Sequence, residues 1–286
     1  MKTELIRFST QDGLQLHGLL FTPEEKTNKV IIHVHGSAGN FYENDFIDNF
    51  AKSFTGKGYA FFVFNNRGCE YIKEIVKKEN GVSTCPIIGM LNEVFEDCVF
   101  DIQGAFNFCK ERGFREFVLQ GHSLGCNKVV YYALKANFKG KLVLLAPCDL
   151  ARNEDETYIE NITLAKKLVK NNKGLEKIPN FWGKFDISAL TLLSIWSNDV
   201  NADMFRYRDG KVVEALKALD NNILVQIGTA DTCFKKVDES ISEYIRKGLP
   251  NSKLQINLIE DVIHHYKGKV DEVATNITNW LYQSIK

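Results

Sequence analysis

A serine hydroxyl is a poor nucleophile at neutral pH unless a base takes its proton and a third group orients that base and stabilises it once charged. The chain offers such a set in the order Ser123, Asp231, His264. Ser123 lies at the centre of Gly121-His122-Ser123-Leu124-Gly125. That pentapeptide pattern arises by chance in roughly one chain in ten of this length, so its flanks decide what it means. An apolar run, Phe117-Val118-Leu119, precedes it, and an amphipathic stretch from Asn127 to Ala136 follows. The order reads strand, tight turn, helix. Such a turn projects its central side chain above the strand end and aims the first helical N–H groups at nearby negative charge. Asp231 follows the apolar run Ile223 to Ile227, and His264 follows the alternating run Lys253 to Ile259. Each of the three therefore comes directly after a strand. Together they suit acyl transfer through a covalent acyl-enzyme.

Residues so far apart meet only if the strands before them are parallel and end on one edge. The rest of the chain fits that need. Leu5 to Phe21 alternates around Asp12-Gly13, as a β-hairpin does. Lys29 to His35, Tyr59 to Phe64 and Lys141 to Ala146 are near-continuous apolar runs, the signature of strands covered on both faces. Helical patterns intervene at Asp45 to Phe54 and at Asn92 to Arg112, and a last one spans Val270 to Ile285. The alternation predicts an α/β fold with a mostly parallel central sheet flanked by helices. Lys253 to Ile259 alternates as a strand near a sheet edge would.

Residues 148–219 break the pattern, because a crossover needs only about a dozen residues. This stretch is expected to be a helical cap or lid inserted into a core of residues 1–147 and 220–286. Its aromatics, Trp182, Trp196 and Phe205 among them, are expected to line an apolar substrate pocket. Lys plus Arg equal Asp plus Glu at 36 each, which gives no electrostatic reason to bind nucleic acid. Neither the N-terminal residues nor any internal run has the apolar length of a signal peptide or membrane span, so a cytoplasmic location without membrane contact is expected. The seven cysteines are then expected to be thiols. Composition leaves a homodimer open.

With Ser123, Asp231 and His264 in view, the sequence resembles the α/β-hydrolase superfamily over nearly its whole length, from His35-Gly36-Ser37 through the Ser123 pentapeptide to His264. The resemblance implies a carboxylesterase-like serine hydrolase in which Ser123 is the nucleophile, His264 the base and Asp231 the orienting acid. It makes the backbone N–H groups of Ser37 and Leu124 the oxyanion hole, and it requires no cofactor. Family members resemble His-x-aromatic-x-Gly around the base, which selects His264 over His265 in His264-His265-Tyr266-Lys267-Gly268. A base with an ordinary pKa near 6.5 would give activity rising through about pH 6 to 7. The segment Cys69 to Cys85 departs from the family pattern and has no functional account. Other readings are acyl transfer to another acceptor, peptide hydrolysis, and a ligand-binding module without catalysis. His33 and His35, alternating on one strand, could join His264 and His265 around a metal, but no carboxylate or cysteine spacing completes that site.

Overall fold

The computed structural model describes all residues except 151, 153, 182–184, 199, 208–209, 212, 235–236, 238, 250–252 and 284–286, with backbone only at 180, 181 and 239. The chain opens with the hairpin β1 (Lys2–Ser9) and β2 (Gln15–Thr22), which pairs Ser9 with Gln15 across the Asp12-Gly13 turn. It continues through β3 (Lys29–Val34), α1 (Phe46–Gly56), β4 (Ala60–Phe64), β5 (Lys77–Glu79), β6 (Val82–Thr84), α2 (Gly89–Asn92), α3 (Cys98–Glu111), β7 (Glu116–His122), α4 (Leu124–Lys135) and β8 (Lys141–Leu145). Then follow α5 (Glu156–Lys170), β9 (Lys177–Phe181), β10 (Phe185–Ser188), α6 (Ala189–Ile195), β11 (Ile223–Gly228), α7 (Glu239–Gly248), β12 (Leu254–Ile259) and α8 (Val270–Gln283).

Eight strands form one sheet in the order β1-β2-β4-β3-β7-β8-β11-β12. From β4 onward neighbouring strands are parallel; only β1 and β2 run against their partners. Val30, Ile31, Ile32 and Val34 of β3 are fully buried, as are Leu142 to Leu145 of β8, so the continuous apolar runs are strands covered on both faces. β12 stands at the sheet edge, where Leu254 and Ile259 are buried, Gln255 is exposed and the three residues between are partly buried. The flanking helices pack in pairs, α1 against α8 and α3 against α4. Because β7, β11 and β12 run the same way, the loops that carry Ser123, Asp231 and His264 all leave one edge of the sheet.

Two expectations are corrected here. The helical pattern from Asn92 to Arg112 is not one helix: the backbone is extended at Glu93 and Val94, a 3-10 turn spans Phe95–Asp97, and α3 starts at Cys98. The break has a polar cause. It brings the fully buried Glu93 carboxylate to the fully buried Lys128 ammonium of α4, whose Nζ also donates to Asn66 Oδ1 at 3.2 Å. Gly68 makes room for this pair, since a Cβ there would stand 2.1 Å from Glu93 Oε2. The second correction concerns residues 148–219, which are not only helical. Between α5 and α6 lies the antiparallel ribbon β9–β10.

That insertion rests on the chain between β4 and α3. Tyr71 Oη donates to Asp186 O at 3.0 Å, Thr191 Oγ1 to Leu91 O at 3.0 Å, and Phe95 N to Ser194 Oγ at 2.7 Å. The Cys69 to Cys85 stretch, opaque in sequence, therefore belongs to a shoulder: β5 and β6 make a small ribbon there, and the chain continues into α2 under the insertion.

Breaking a buried ion pair on one side leaves an uncompensated charge, whereas replacing both partners by apolar groups does not. Lys128→Met should cost about 3–5 kcal/mol in urea unfolding, and Lys128→Met/Glu93→Leu should cost clearly less than the two single changes added together. Additive losses would mean that the pair is not coupled.

Candidate active site

Ser123 occupies the junction of β7 and α4 with φ 56° and ψ −129°, a left-handed backbone that a serine adopts only where its surroundings impose it. Those surroundings are backbone. Ser123 N donates to Leu145 O at 2.9 Å, and the turn is closed by Cys126 N to Ser123 O at 2.9 Å. A Cβ on Gly125 would stand 2.1 Å from Val34 O, and one on Gly121 would stand 2.4 Å from Gly125 O. The glycines of the pentapeptide are thus demanded by strand β3 and by the turn itself. Ser123 remains half-buried, while the residues on either side of it are buried.

The loop after β3 reaches the same place. A Cβ on Gly36 would lie 2.8 Å from Ser123 Cβ and 3.2 Å from its Oγ, so Gly36, the residue before Ser37, passes directly over the serine. Ser37 N makes no hydrogen bond among the described residues. Leu124 opens α4, where first-turn N–H groups have no carbonyl behind them. Both amides are therefore available to an anion beside Ser123. The loop is held from behind by His35, whose Nδ1 pairs with Gly36 O at 2.8 Å and whose Nε2 accepts from Asn66 N at 3.0 Å. Burial pushes the His35 imidazole down to about 3, so it is neutral and its tautomer is fixed by those two bonds. Asn66 also donates to His35 O at 3.1 Å and accepts from Lys128, which links the loop to the buried pair described above.

Asp231 and His264 meet. His264 Nδ1 stands 2.7 Å from Asp231 Oδ2, with the Asp231 side chain fully buried and the His264 side chain 14% exposed. Asp231 is fixed by its own turn, since its Oδ1 accepts from Cys233 N at 2.8 Å. His264 is fixed through the residue before the serine: His122 Nε2 bonds to His264 O at 2.9 Å, and the two rings lie 4.9 Å apart. Burial alone would lower the His264 pKa, but the hydrogen bonds to Asp231 and Cys233 and the Asp231 charge outweigh it, and the imidazole is pushed up to about 9. An ordinary value near 6.5, as anticipated from the residue type, does not hold in this environment. His265 is exposed, and its pKa is lowered by burial of its ring and by the neighbouring His264 charge. Among the described residues no hydrogen bond joins Ser123 Oγ to either histidine.

The sequence matches no protein-family model and no curated protein. Solved structures do match. The chain is similar to Est1E from Butyrivibrio proteoclasticus, with TM-score 0.64 and 15% identity over 98% of each chain. It is similar to the α/β hydrolase GrgF from Penicillium sp. sh18, with TM-score 0.70 and 16% identity over 99% of each chain. It is similar also to the Pyrococcus furiosus esterase Pf2001, with TM-score 0.62 and 14% identity over 99% of this chain and 90% of that one. The chain has the α/β-hydrolase fold. In this fold as it is built here, the Ser123, Asp231 and His264 loops share a sheet edge with the Ser37 loop, for the reason of strand direction given above.

The remaining sequence candidates are placed differently. Trp196 is 2% exposed with the Arg152 guanidinium over its ring, and Phe205 is fully buried, stacked on Tyr207 and bridged to Asp149. Trp182 lies outside the described residues. His33 is buried in β3 with Nδ1 2.9 Å from Gln120 Nε2, and its pKa is pushed by burial to about 3. Neither His33 nor His35 joins a cluster of three metal-ligating groups among the described residues. Sequence reasoning missed Cys233, whose side chain reaches His264 and Asp231. The one available signal was a thiol two positions after the acid. No helix among the described residues is long and apolar enough to cross a membrane.

The three clustered imidazoles should separate in an NMR titration. His264 should titrate near 9 and fall in Asp231→Asn, while His122, which burial drives well below its ordinary value, should stay neutral down to the acid range. A His264 value that Asp231→Asn leaves in place would mean that the carboxylate does not set it.

Proposed function

We propose that the protein is a serine hydrolase that cleaves carboxylic esters of small to medium acyl groups through an acyl-enzyme, with Ser123 as nucleophile, His264 as base and Asp231 as orienting acid. The observation that carries the reading is the 2.7 Å bond between His264 Nδ1 and Asp231 Oδ2, held by the backbone neighbour of a serine in strained left-handed geometry. With Nδ1 committed to Asp231, the imidazole presents Nε2 as its free base. Nε2 takes the proton of Ser123 as Oγ bonds to the ester carbonyl carbon. The negative oxygen so formed is met by the amides of Ser37 and Leu124, each worth about 3 kcal/mol because they bind the charge as it develops. Collapse breaks the ester C–O bond, and the proton on Nε2 goes to the departing alcohol. Water then repeats the sequence, giving its proton to His264 and releasing the acid and the serine. That no hydrogen bond joins Ser123 Oγ to His264 among the described residues is consistent with a resting site, since such bonds tighten on substrate binding.

The insertion at residues 148–219 acts in this reading as a cap on a core of residues 1–147 and 220–286. It selects the acyl group. The burial of Trp196 and Phe205 implies that they shape the cap from within, while Trp182 lies outside the described residues.

A fluorophosphonate probe should label the folded protein once, on Ser123, as read by peptide mass spectrometry. Ser123→Ala and His264→Ala should each lower kcat on a chromogenic acetate ester by several orders of magnitude, whereas His265→Ala should cost about tenfold or less. Labelling at another residue, or a dead His265→Ala beside a live His264→Ala, would sink the assignment.

The pH dependence follows from His264. The base works only when neutral, and its pKa is raised to about 9, so kcat/KM should be low in acid and rise with pH through the alkaline range. A profile already flat above pH 7 would contradict a base held by Asp231 in this way.

A further inference from the structure

Cys233 gives the site a second possible occupant. Its Sγ, an Asp231 carboxylate oxygen and a His264 ring nitrogen all lie within 4.8 Å of one another. These three donors come from two loops that are already fixed. Asp231 and Cys233 share one turn, tied by Cys233 N to Asp231 Oδ1 at 2.8 Å, and His264 is anchored by His122. Thiolate, imidazole and carboxylate are the donor types that zinc takes, at about 2.0–2.3 Å each, and the thiolate disfavours magnesium, calcium and manganese. A tetrahedral ion with such bonds sets its donors about 3.3–3.7 Å apart. The cluster is therefore near the right size. His264 Nδ1 and Asp231 Oδ2, now 2.7 Å apart, have to separate by less than about 1 Å to bind one ion. Cys233 is exposed, so an ion can arrive from solvent without opening the core.

We propose that Asp231, Cys233 and His264 form an inhibitory zinc site that shares two residues with the hydrolytic centre. Binding consumes no oxidant or reductant: the Cys233 thiol, and the His264 ring where it is protonated, each give a proton to solvent, zinc takes three protein donors, and water fills the fourth position. The consequence for catalysis, which rests on the function proposed above, is loss of the base. A neutral imidazole bound to zinc through Nδ1 carries its proton on Nε2, so it cannot accept the proton of Ser123. Bound through Nε2, it has no lone pair left there. In either case Asp231 is also withdrawn from its orienting role.

The test uses metal-stripped full-length protein and two readouts. Cobalt(II) serves as the spectroscopic probe, because thiolate ligation gives a near-ultraviolet charge-transfer band. Turnover of a chromogenic acetate ester is followed against free zinc. The unmodified protein and Cys85→Ser, which removes another exposed thiol, should both show the band and be inhibited by zinc in a way that a chelator reverses. Cys233→Ser should lose the band, and the zinc concentration for half-inhibition of its own basal rate should rise at least about tenfold. His264→Ala should bind cobalt at least about tenfold more weakly. A band that survives in Cys233→Ser, or equal zinc inhibition of that variant, overturns the site. Tight binding with undiminished turnover overturns the inhibitory role. A protein that turns over no ester defeats the hydrolase reading alone, and the cobalt band still decides the metal site.

Discussion

The structure depends on how closely the backbone passes itself at Ser123. A serine with φ 56° sits in a region that costs of order 1–3 kcal/mol, and it stays there because strand β3, the turn and β8 leave no other path. The gaps are those of absent side chains. Gly125 faces Val34 O, Gly121 faces Gly125 O, and Gly36 faces Ser123 itself, each at a separation that a Cβ would close to under 3 Å. The Ser123 amide is meanwhile satisfied by Leu145 O of the next strand. Strain is thus localised on one residue and supported by two strands. That is why the serine side chain is held in place before anything binds.

The loop after β3 depends on a second device, a buried polar chain that runs from His35 through Asn66 to Lys128 and Glu93. An ion pair with no exposure is a poor source of net stability, because desolvating both charges offsets most of their attraction. Its effect here is on geometry. Lys128 lies one turn beyond the serine on α4, and Asn66 follows β4, so the pair fixes the β4 loop against the helix that begins at Leu124. Asn66 then fixes His35, and His35 fixes Gly36 beside Ser123. Low dielectric strengthens each bond in that chain. The same pair also breaks the helix at Glu93 and makes Gly68 necessary, so one buried charge accounts for three local features.

Local patterns carried much of this arrangement. Apolar runs such as Lys29 to His35 and Lys141 to Ala146 revealed the parallel strands, and the turn residues Asp12-Gly13 revealed the hairpin, because their periodicity and turn chemistry act within a few residues. The loops bearing Ser123, Asp231 and His264 were legible for the same reason: each directly follows a strand. What stayed hidden acts between distant residues. Glu93 looked like one more polar position on a helix, since nothing nearby in sequence announces Lys128 as its partner. The stretch from Cys69 to Cys85 has no periodic core of its own. It acquires its place only by carrying the insertion, through contacts such as Tyr71 to Asp186. Trp196 and Phe205 were legible as a group of large aromatics, but burial by partners such as Arg152 and Tyr207 is a tertiary fact.

The three histidines at the site show how a shared environment can produce opposite electrostatics. His122, His264 and His265 have ring centroids 4.9 to 5.3 Å apart, so protonating any one of them disfavours protonating the others. Burial disfavours charge on all of them. Only His264 has a carboxylate on its ring, and that bond together with the Cys233 contact reverses the balance. His122 goes the other way: its Nε2 meets the carbonyl of His264, a bond that requires a hydrogen on that nitrogen and suits the neutral ring. The same contact has two effects. It keeps His122 from competing for the proton, and it fixes the backbone from which His264 reaches Asp231. In a site so crowded with imidazoles, the location of the proton is decided by where the one buried carboxylate stands.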